Sequence, residues 1–177
     1  MRTTETSANS AVPSTTTAAG VDEVDVFDIA VGDCLIDDIV PDSGEGVSGD
    51  QKQVNCGAPH YSEVYASTSM TGSEFPGTPA VEAESEELCD REFTSFVGMS
   101  YEQSLLDLSY LYPTSDSWKS EDREILCLIN DPAGDTVGSP AGCGALRRSR
   151  ATRCSTFFGV GRPQSDYPSD LVGSRGR

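Results

Sequence analysis

The sequence predicts an α+β fold, in which a small antiparallel sheet is packed by one main helix and held by two disulfides. Three observations support this fold class. A long amphipathic segment carries Cys89 in the middle of its apolar face, short segments elsewhere alternate at strand spacing, and a segment around Cys127 is apolar on both faces. The chain has 177 residues, enough for one domain with a substantial core.

The main helix is predicted to run from Thr78 to Gly98. Thr78 can act as its N-cap, and Pro79 suits the first helical position. Near the positive end of the helix dipole lie Glu82, Glu84, Glu86 and Glu87. The apolar residues that recur at helical spacing are Val81, Leu88, Cys89, Phe93, Phe96 and Val97. Cys89 should therefore face the element against which the helix packs, which we expect to be the sheet.

The segments before the helix are predicted to be extended, with loops between them. Apolar residues between Val24 and Ile36 flank a turn over residues 31–34, and a strand pattern that begins at Val54 resumes from His60 to Ser67. Residues 41–52 are predicted to be loop, because they are rich in Asp, Ser, Gly and Glu. Four aspartates in or just before this loop lack the alternating ligand positions of an EF-hand calcium loop, so we expect a solvated acidic rim rather than a calcium site. They are Asp33, Asp37, Asp38 and Asp42.

Two strands are predicted after the helix. The first places Leu106, Leu108, Tyr110 and Tyr112 on one face and ends at Pro113. The second spans residues 124–130 and is apolar on both faces, which predicts a central strand closed by a turn over residues 131–135. Between the two strands, Trp118 is expected to fold back over the edge of the core.

Six cysteines are present, and four of them lie in the patterned part of the chain: Cys34, Cys56, Cys89 and Cys127. A zinc site is not expected, because the chain has no C-x-x-C pair and one histidine. Four cysteines allow three pairings. A helix packed on the sheet favours Cys89 with Cys127, which leaves Cys34 with Cys56. Two disulfides imply an oxidising, extracytoplasmic setting, whereas buried free thiols in a cytosolic domain are the alternative.

The charge of the chain is large and unevenly distributed. The formal net charge is −17. Residues 141–177 hold seven basic and two acidic residues, or +5, which leaves −22 for residues 1–140. An acidic body repels phosphate backbones and anionic lipid, so we expect no nucleic-acid partner.

Both ends of the chain are predicted to lie outside the domain, which is assigned to residues 24–138. Residues 1–23 are rich in Thr, Ser and Ala and are predicted to form a disordered stalk. Residues 139–177 are predicted to form a basic disordered tail with two further cysteines, Cys143 and Cys154. A shifted reading frame and a nucleic-acid-binding arm are the alternatives for this tail. No signal peptide or membrane span is recognised, so we expect the anchor of the stalk to be encoded upstream of Met1.

Residues spread along the chain resemble the septum formation domain. The shared positions are Val31, Gly32, Asp33, Cys34, Val54, Cys56, Pro59, His60, Glu63, Val64, Cys89, Tyr110, Tyr112, Pro113, Thr114, Trp118, Arg123 and Cys127. The resemblance covers roughly residues 26–138. It implies an actinobacterial envelope protein that lies outside the membrane behind an N-terminal anchor. The family name links it to division-septum formation, and the resemblance implies no catalytic chemistry or cofactor.

His60 and Glu63 are the residues on which an enzyme would have to depend, because His60 is the only histidine. On a continuous strand an offset of three places two side chains on opposite faces, so we expect them not to share a metal or a proton. His60 and Pro59 are instead expected to fix a turn. No G-x-S-x-G elbow or phosphate loop is present, so no catalytic residue is assigned.

Two functions remain open at this point. The first is a non-enzymatic envelope module that binds a protein or cell-wall partner. The second is a small hydrolase or metal-dependent enzyme around His60 and Glu63. The candidate recognition or structural motif comprises Pro59, His60, Glu63, Tyr112, Pro113 and Trp118. Five aromatic residues could either line a groove for a peptide or glycan or be buried in the core, and we expect them to be buried. They are Tyr61, Tyr65, Tyr110, Tyr112 and Trp118.

Overall fold

A computed structural model of the chain describes residues 20–39 and 47–143, together with the backbone of a strand over residues 172–175. The strands are β1 (Val21–Asp25), β2 (Cys34–Leu35), β3 (Asp50–Val54), β4 (Pro59–His60), β5 (Ser62–Ser69), β6 (Asp107–Pro113), β7 (Glu124–Asn130), β8 (Thr136–Val137) and β9 (Val172–Arg175). The helices are α1 (Thr78–Val97) and α2 (Ser115–Lys119), with a 3-10 turn over Tyr101–Gln103.

The main sheet contains six antiparallel strands in the order β1-β3-β2-β5-β7-β6, and β9 adds to its β6 edge in a parallel orientation. The short strands β4 and β8 form a separate antiparallel pair. One main helix packs on the sheet, so the predicted α+β fold class is confirmed. The strand β7 lies between β5 and β6, as its apolar character on both faces predicts.

The N-cap and the first helical residue of α1 each lie one position earlier in the chain than predicted. Thr78 is the first helical residue, Gly77 is the N-cap, and no side chain caps the end, so the expected N-cap role of Thr78 is wrong. Gly98 ends the helix in the left-handed conformation, at φ 84°, and its N–H donates to the carbonyl of Thr94. Glycine suits this position because it lacks a Cβ.

The core lies on both faces of the sheet. On the helix side, apolar residues of α1 pack against Tyr65, Tyr110 and alternate residues of β7, namely Ile125, Cys127 and Ile129. On the other side, Leu126 and Leu128 pack with residues of the N-terminal segment. The buried positions of α1 are Val81, Ser85, Cys89, Phe93 and Val97. Leu88 and Phe96 are partly buried, and the buried Ser85 donates its hydroxyl to the carbonyl of Val81.

Both predicted disulfides are present. Cys89 on α1 is bonded to Cys127 on β7, with 5.4 Å between their Cα atoms, and Cys34 on β2 is bonded to Cys56, with 5.3 Å between theirs. The helix-on-sheet argument therefore selected the correct pairing out of three. Cys143 is also disulfide-bonded.

Two segments differ from the expectations. Residues 50–52, predicted to be loop, belong to the polar strand β3, which pairs with β1 and β2. The sequence of this strand is DQKQV, so it lacks the apolar alternation by which a strand is recognised. Trp118 does cover the core edge, but it does so from a short helix, α2, whose N-terminus is closed by a capping box between Thr114 and Ser117.

The described fold extends beyond the predicted domain at both ends. Val21–Asp25 forms β1, although residues 21–23 were assigned to the stalk. Residues 139–143, assigned to the tail, pack on the domain: the Gly142 N–H donates to the carbonyl of Phe96, and Cys143 is buried in the helix-side core. The predicted disorder of residues 1–19 and 144–171 concerns segments outside the described residues. Neither described helix combines the length and apolar character needed to cross a bilayer.

Candidate functional site

The side chains of His60 and Glu63 lie together, against the expectation that they would occupy opposite faces. Ligand atoms of Cys34, His60 and Glu63 all lie within 4.8 Å of one another. The expectation was wrong because the strand is not continuous. His60 ends β4, which pairs with β8, whereas Glu63 belongs to β5 in the main sheet. Between them the Tyr61 N–H donates to the carbonyl of Leu35, where the backbone passes from one sheet to the other.

His60 is 1 % exposed, and both of its ring nitrogens have partners. Nδ1 lies 2.9 Å from the carbonyl oxygen of Ala58, and Nε2 lies 3.2 Å from the hydroxyl of Thr136. A carbonyl oxygen can only accept, so Nδ1 carries the hydrogen of this bond. In the neutral ring Nε2 is then the nitrogen with the free lone pair, and it accepts from the Thr136 hydroxyl. The turn itself spans residues 55–58, where the Ala58 N–H donates to the carbonyl of Asn55, and Pro59 and His60 form β4 directly after it, so they lie beside the turn rather than in it as expected. The Nδ1–H bond ties the imidazole to the last residue of that turn.

Glu63 is 6 % exposed. Its Oε1 accepts a hydrogen bond of 2.9 Å from the Ser139 hydroxyl, whereas Oε2 is buried without a partner among the described residues. Burial raises the pKa of Glu63, and the hydrogen bond from Ser139 opposes that rise. A buried carboxylate oxygen without a donor is a costly arrangement. Glu63 is therefore a group that would gain from a proton, a water molecule or a cation.

A small cavity lies between these side chains. It is lined by His60, Glu63, Leu106, Ile129, Asn130, Asp131, Thr136 and Pro140. Its water-accessible volume is about 10 Å³, which is close to the space that one water molecule needs. The cavity is therefore too small for a peptide or a sugar in this conformation.

The disulfide Cys34–Cys56 borders the same group. Cys34 pairs directly with Glu63 across β2 and β5, so the two side chains project from the same face of the sheet. Cys34 is fully buried, whereas Cys56 is half-buried, and its sulfur lies 3.4 Å from the carbonyl oxygen of Gly32. In the oxidised chain the Cys34 sulfur is committed to the bridge, which leaves His60 and Glu63 as the two groups of this set with metal-binding capacity.

The remaining motif residues do not join this cluster. The strand register places Glu63 opposite Ile129 and Leu111 opposite Leu126, so Tyr112 and Pro113 lie towards the other end of the sheet. The candidate motif therefore separates into two groups, one at each end of β7. Pro59 belongs to the first group, where it pairs with Val137 across β4 and β8.

The second group is built around Trp118. Its ring is 3 % exposed and stacks edge-on with Phe75, at a centroid distance of 5.6 Å. The Arg123 guanidinium lies over the Trp118 ring, 3.8 Å from its centroid. The Tyr112 hydroxyl donates to Glu82 on α1 over 2.9 Å. These contacts tie α1 and α2 to the end of the sheet.

The aromatic residues weighed as a groove are mostly core residues. Tyr65, Tyr110, Tyr112 and Trp118 are all buried on the helix side of the sheet. Tyr61 is partly buried. The Tyr65 hydroxyl donates to the backbone carbonyl of Cys89 over 2.7 Å. The interpretation of these four residues as core is confirmed.

Sequence reasoning missed three polar residues near His60 and Glu63. Asn130, Thr136 and Ser139 come from the end of β7, from β8 and from the segment after it. Asn130 could have been found as the polar end of an apolar strand. Thr136 and Ser139 carry no sequence signal, because a strand of two residues has no readable alternation.

Comparison with known proteins places the chain in a family. Neither the curated proteins nor the solved structures compared with it give a match. A family model described as septum formation matches residues 31–155. The match contains both disulfides, the cavity and the second aromatic group, and it extends past the predicted domain end at residue 138. The chain therefore belongs to the septum formation family.

Proposed function

We propose that the chain is a non-enzymatic binding module that works outside the cytoplasm and contributes to forming the division septum. The observation that carries this proposal is the pair of disulfides inside a septum formation domain. Disulfides form and persist in oxidising compartments. One bridge joins helix and sheet, and the second joins β2 to the segment after β3. Such bridges are typical of a domain that folds in an oxidising compartment.

The dimensions of the His60 cavity support a non-enzymatic role. A hydrolase needs room for a substrate bond and a water molecule next to an acid or a base. The cavity beside His60 and Glu63 has room for about one water molecule. The hydrogen bonds of His60 to Ala58 and Thr136 also fix the ring in the wall of the cavity.

The surface charge limits the kinds of partner that the domain can bind. With −22 on residues 1–140, the domain repels polyanions and attracts cationic groups. The exposed glutamates of α1 contribute to this field: Glu84, Glu86 and Glu87. We propose that the partner is an envelope protein or a cell-wall component that presents basic or uncharged groups. Binding should weaken as salt concentration rises, because charges at the surface are screened.

A fusion experiment tests the location. Alkaline phosphatase joined to the C-terminus of the chain, expressed from the natural gene, acquires its disulfides and activity only outside the cytoplasm. We expect active phosphatase. Inactive phosphatase at normal protein level would contradict the proposed location.

Complementation of a deletion strain tests the non-enzymatic role. We expect the deletion to change the spacing or number of septa, and both the natural gene and a variant carrying H60Q and E63Q to restore it. The variant removes the acid–base groups but keeps polar side chains of similar size. A variant that is oxidised and folded like the natural protein, yet does not restore septa, would favour the enzyme around His60 and Glu63 instead.

A further inference from the structure

Cys34, His60 and Glu63 offer a thiol sulfur, an imidazole nitrogen and a carboxylate oxygen at one point. Their ligand atoms lie within 4.8 Å of one another, and all three residues are buried. These are the three donor types that bind Zn²⁺ in proteins. We propose that, when the Cys34–Cys56 bridge is open, Cys34, His60 and Glu63 bind one zinc ion, so that the same position alternates between a disulfide and a metal centre.

Two of the three ligands, Cys34 and Glu63, are positioned by contacts that do not depend on the bridge. Cys34 and Glu63 are directly paired residues of β2 and β5. The Val64 N–H donates to the carbonyl of Asp33, and the Gly32 N–H donates to the carbonyl of Val64. These backbone bonds hold the two strands together after reduction. Ligands of a tetrahedral zinc lie about 3.5 Å apart, so separations of up to 4.8 Å between the ligand atoms would need to shorten by at most about 1.3 Å.

The donor atoms of His60 and Glu63 are suited to a cation. The hydrogen bond from Nδ1 to the Ala58 carbonyl leaves the lone pair on Nε2, and such a bond to a carbonyl is the usual way in which a ligand histidine is oriented. The Oε2 atom of Glu63 is buried without a partner among the described residues. A cation would be a partner for this oxygen. To bind the same cation, Nε2 of His60 would have to give up its hydrogen bond with the Thr136 hydroxyl.

The cavity offers space for a fourth ligand next to His60 and Glu63, which line it, whereas Cys34 is not among its lining residues. Three protein ligands and one water molecule are a common set around zinc. The space of about 10 Å³ beside His60 and Glu63 is close to that of one water molecule. Asn130 and Thr136, which line the cavity, offer polar groups to such a water.

Opening of the bridge requires a thiol reductant, and the burial of the two cysteine residues indicates which of them it attacks. A small-molecule thiolate bonds to the sulfur of half-buried Cys56, the S–S bond breaks, and the buried Cys34 sulfur leaves with the electron pair. A second thiolate then attacks the mixed disulfide and releases Cys56. Overall, two thiols become one small disulfide and two electrons pass to the bridge. Zinc then takes the place of the proton on Cys34.

Two single variants test this inference as a matched pair. Both C56S and C34S break the same bridge and leave one free thiol, but C56S alone retains the Cys34 sulfur at the site. We expect C56S, purified without oxygen, to bind one equivalent of Zn²⁺ and to give the thiolate-to-metal absorption of a tetrahedral site with Co²⁺. C34S should bind neither metal above background. Equal binding by the two variants, or none by either, would overturn the proposal.

Two further measurements keep the test decisive if a variant folds poorly. The natural protein in which a limiting amount of a small-molecule thiol has opened the Cys34–Cys56 bridge alone, as checked by peptide mapping, should bind one zinc ion, and the air-oxidised protein should bind none. In the C56S background, adding H60A or E63Q should weaken zinc binding by at least about tenfold. Zinc bound to the oxidised protein, or unaffected by both substitutions, would place the metal elsewhere and contradict the inference.

Discussion

The disulfide between Cys89 and Cys127 joins the middle of α1 to the middle of β7, the strand that is buried on both faces. Both sulfur-bearing residues are fully buried. The Tyr65 hydroxyl donates to the carbonyl of Cys89, so a neighbouring strand holds the same turn of the helix. The helix is thus fixed to the sheet at one point by a covalent bond and a buried hydrogen bond.

Replacing both cysteines of this bridge should strongly destabilise the domain. The bridge closes a segment with a sequence separation of 38, for which the chain-entropy model gives a loss of about 4 kcal/mol in the free energy of unfolding. We expect this loss for C89A/C127A in urea denaturation. The variant C34A/C56A, which opens a separation of 22, should lose about 3 kcal/mol. A loss below about 1 kcal/mol in both variants would show that the bridges contribute little to stability.

The substitution E63Q should change the pH dependence of stability. Burial raises the pKa of Glu63 in the folded state, so folding favours its neutral form. This contribution is fully present below the unfolded pKa, near 4.5, and is lost as pH rises through the folded pKa. The urea midpoint of the natural protein should therefore fall relative to that of E63Q as pH increases from 4 towards 7.

Glutamine is the matched substitution because it is neutral at every pH and similar in size. The comparison of the two proteins also cancels the contributions of the other carboxyl groups to the pH dependence of stability. One of these is Asp107, whose pKa is raised by burial and by the charge of Asp131. A constant difference between the two midpoints across this pH range would contradict the account of Glu63.

Arg123 should contribute more to stability than an ordinary surface arginine. Its guanidinium donates to the carbonyls of Gly72, Trp118 and Asp122 and lies over the Trp118 ring. We expect R123K to lose about 2 kcal/mol in the free energy of unfolding, because an ammonium group cannot make these bonds together. The control is R91K, since Arg91 is exposed and paired with Glu92 on the surface, and its loss should stay below about 0.5 kcal/mol. Equal losses in the two variants would contradict this assignment.

The sequence predicted those elements whose residues repeat at a clear period. The alternation of Ile125, Cys127 and Ile129 with Leu126 and Leu128 identified the central strand, and the spacing of Val81, Cys89, Phe93 and Val97 identified the face of α1. Together these two periods placed Cys89 opposite Cys127. The choice among the three disulfide pairings needed a further step, the expectation that this helix packs on the sheet.

The cluster of Cys34, His60 and Glu63 could not be predicted, because it depends on where the chain passes from one sheet to the other. A change of sheet at Tyr61 brings His60 and Glu63 together, and no residue pattern marks that change. Ser139 reaches Glu63 from a segment whose composition predicts a tail. The polar strand β3 was missed for a related reason, because it has neither an apolar face nor a period.

The disulfide-linked fold and the proposed function both require that the chain works where thiols oxidise. Peptide mapping by mass spectrometry, without reduction and with free thiols blocked at lysis, measures this directly on protein taken from its natural cells. We expect linked peptides that join Cys34 to Cys56 and Cys89 to Cys127, as in the structure. Blocked free thiols at Cys89 and Cys127 in folded protein would contradict both the architecture and the location outside the cytoplasm.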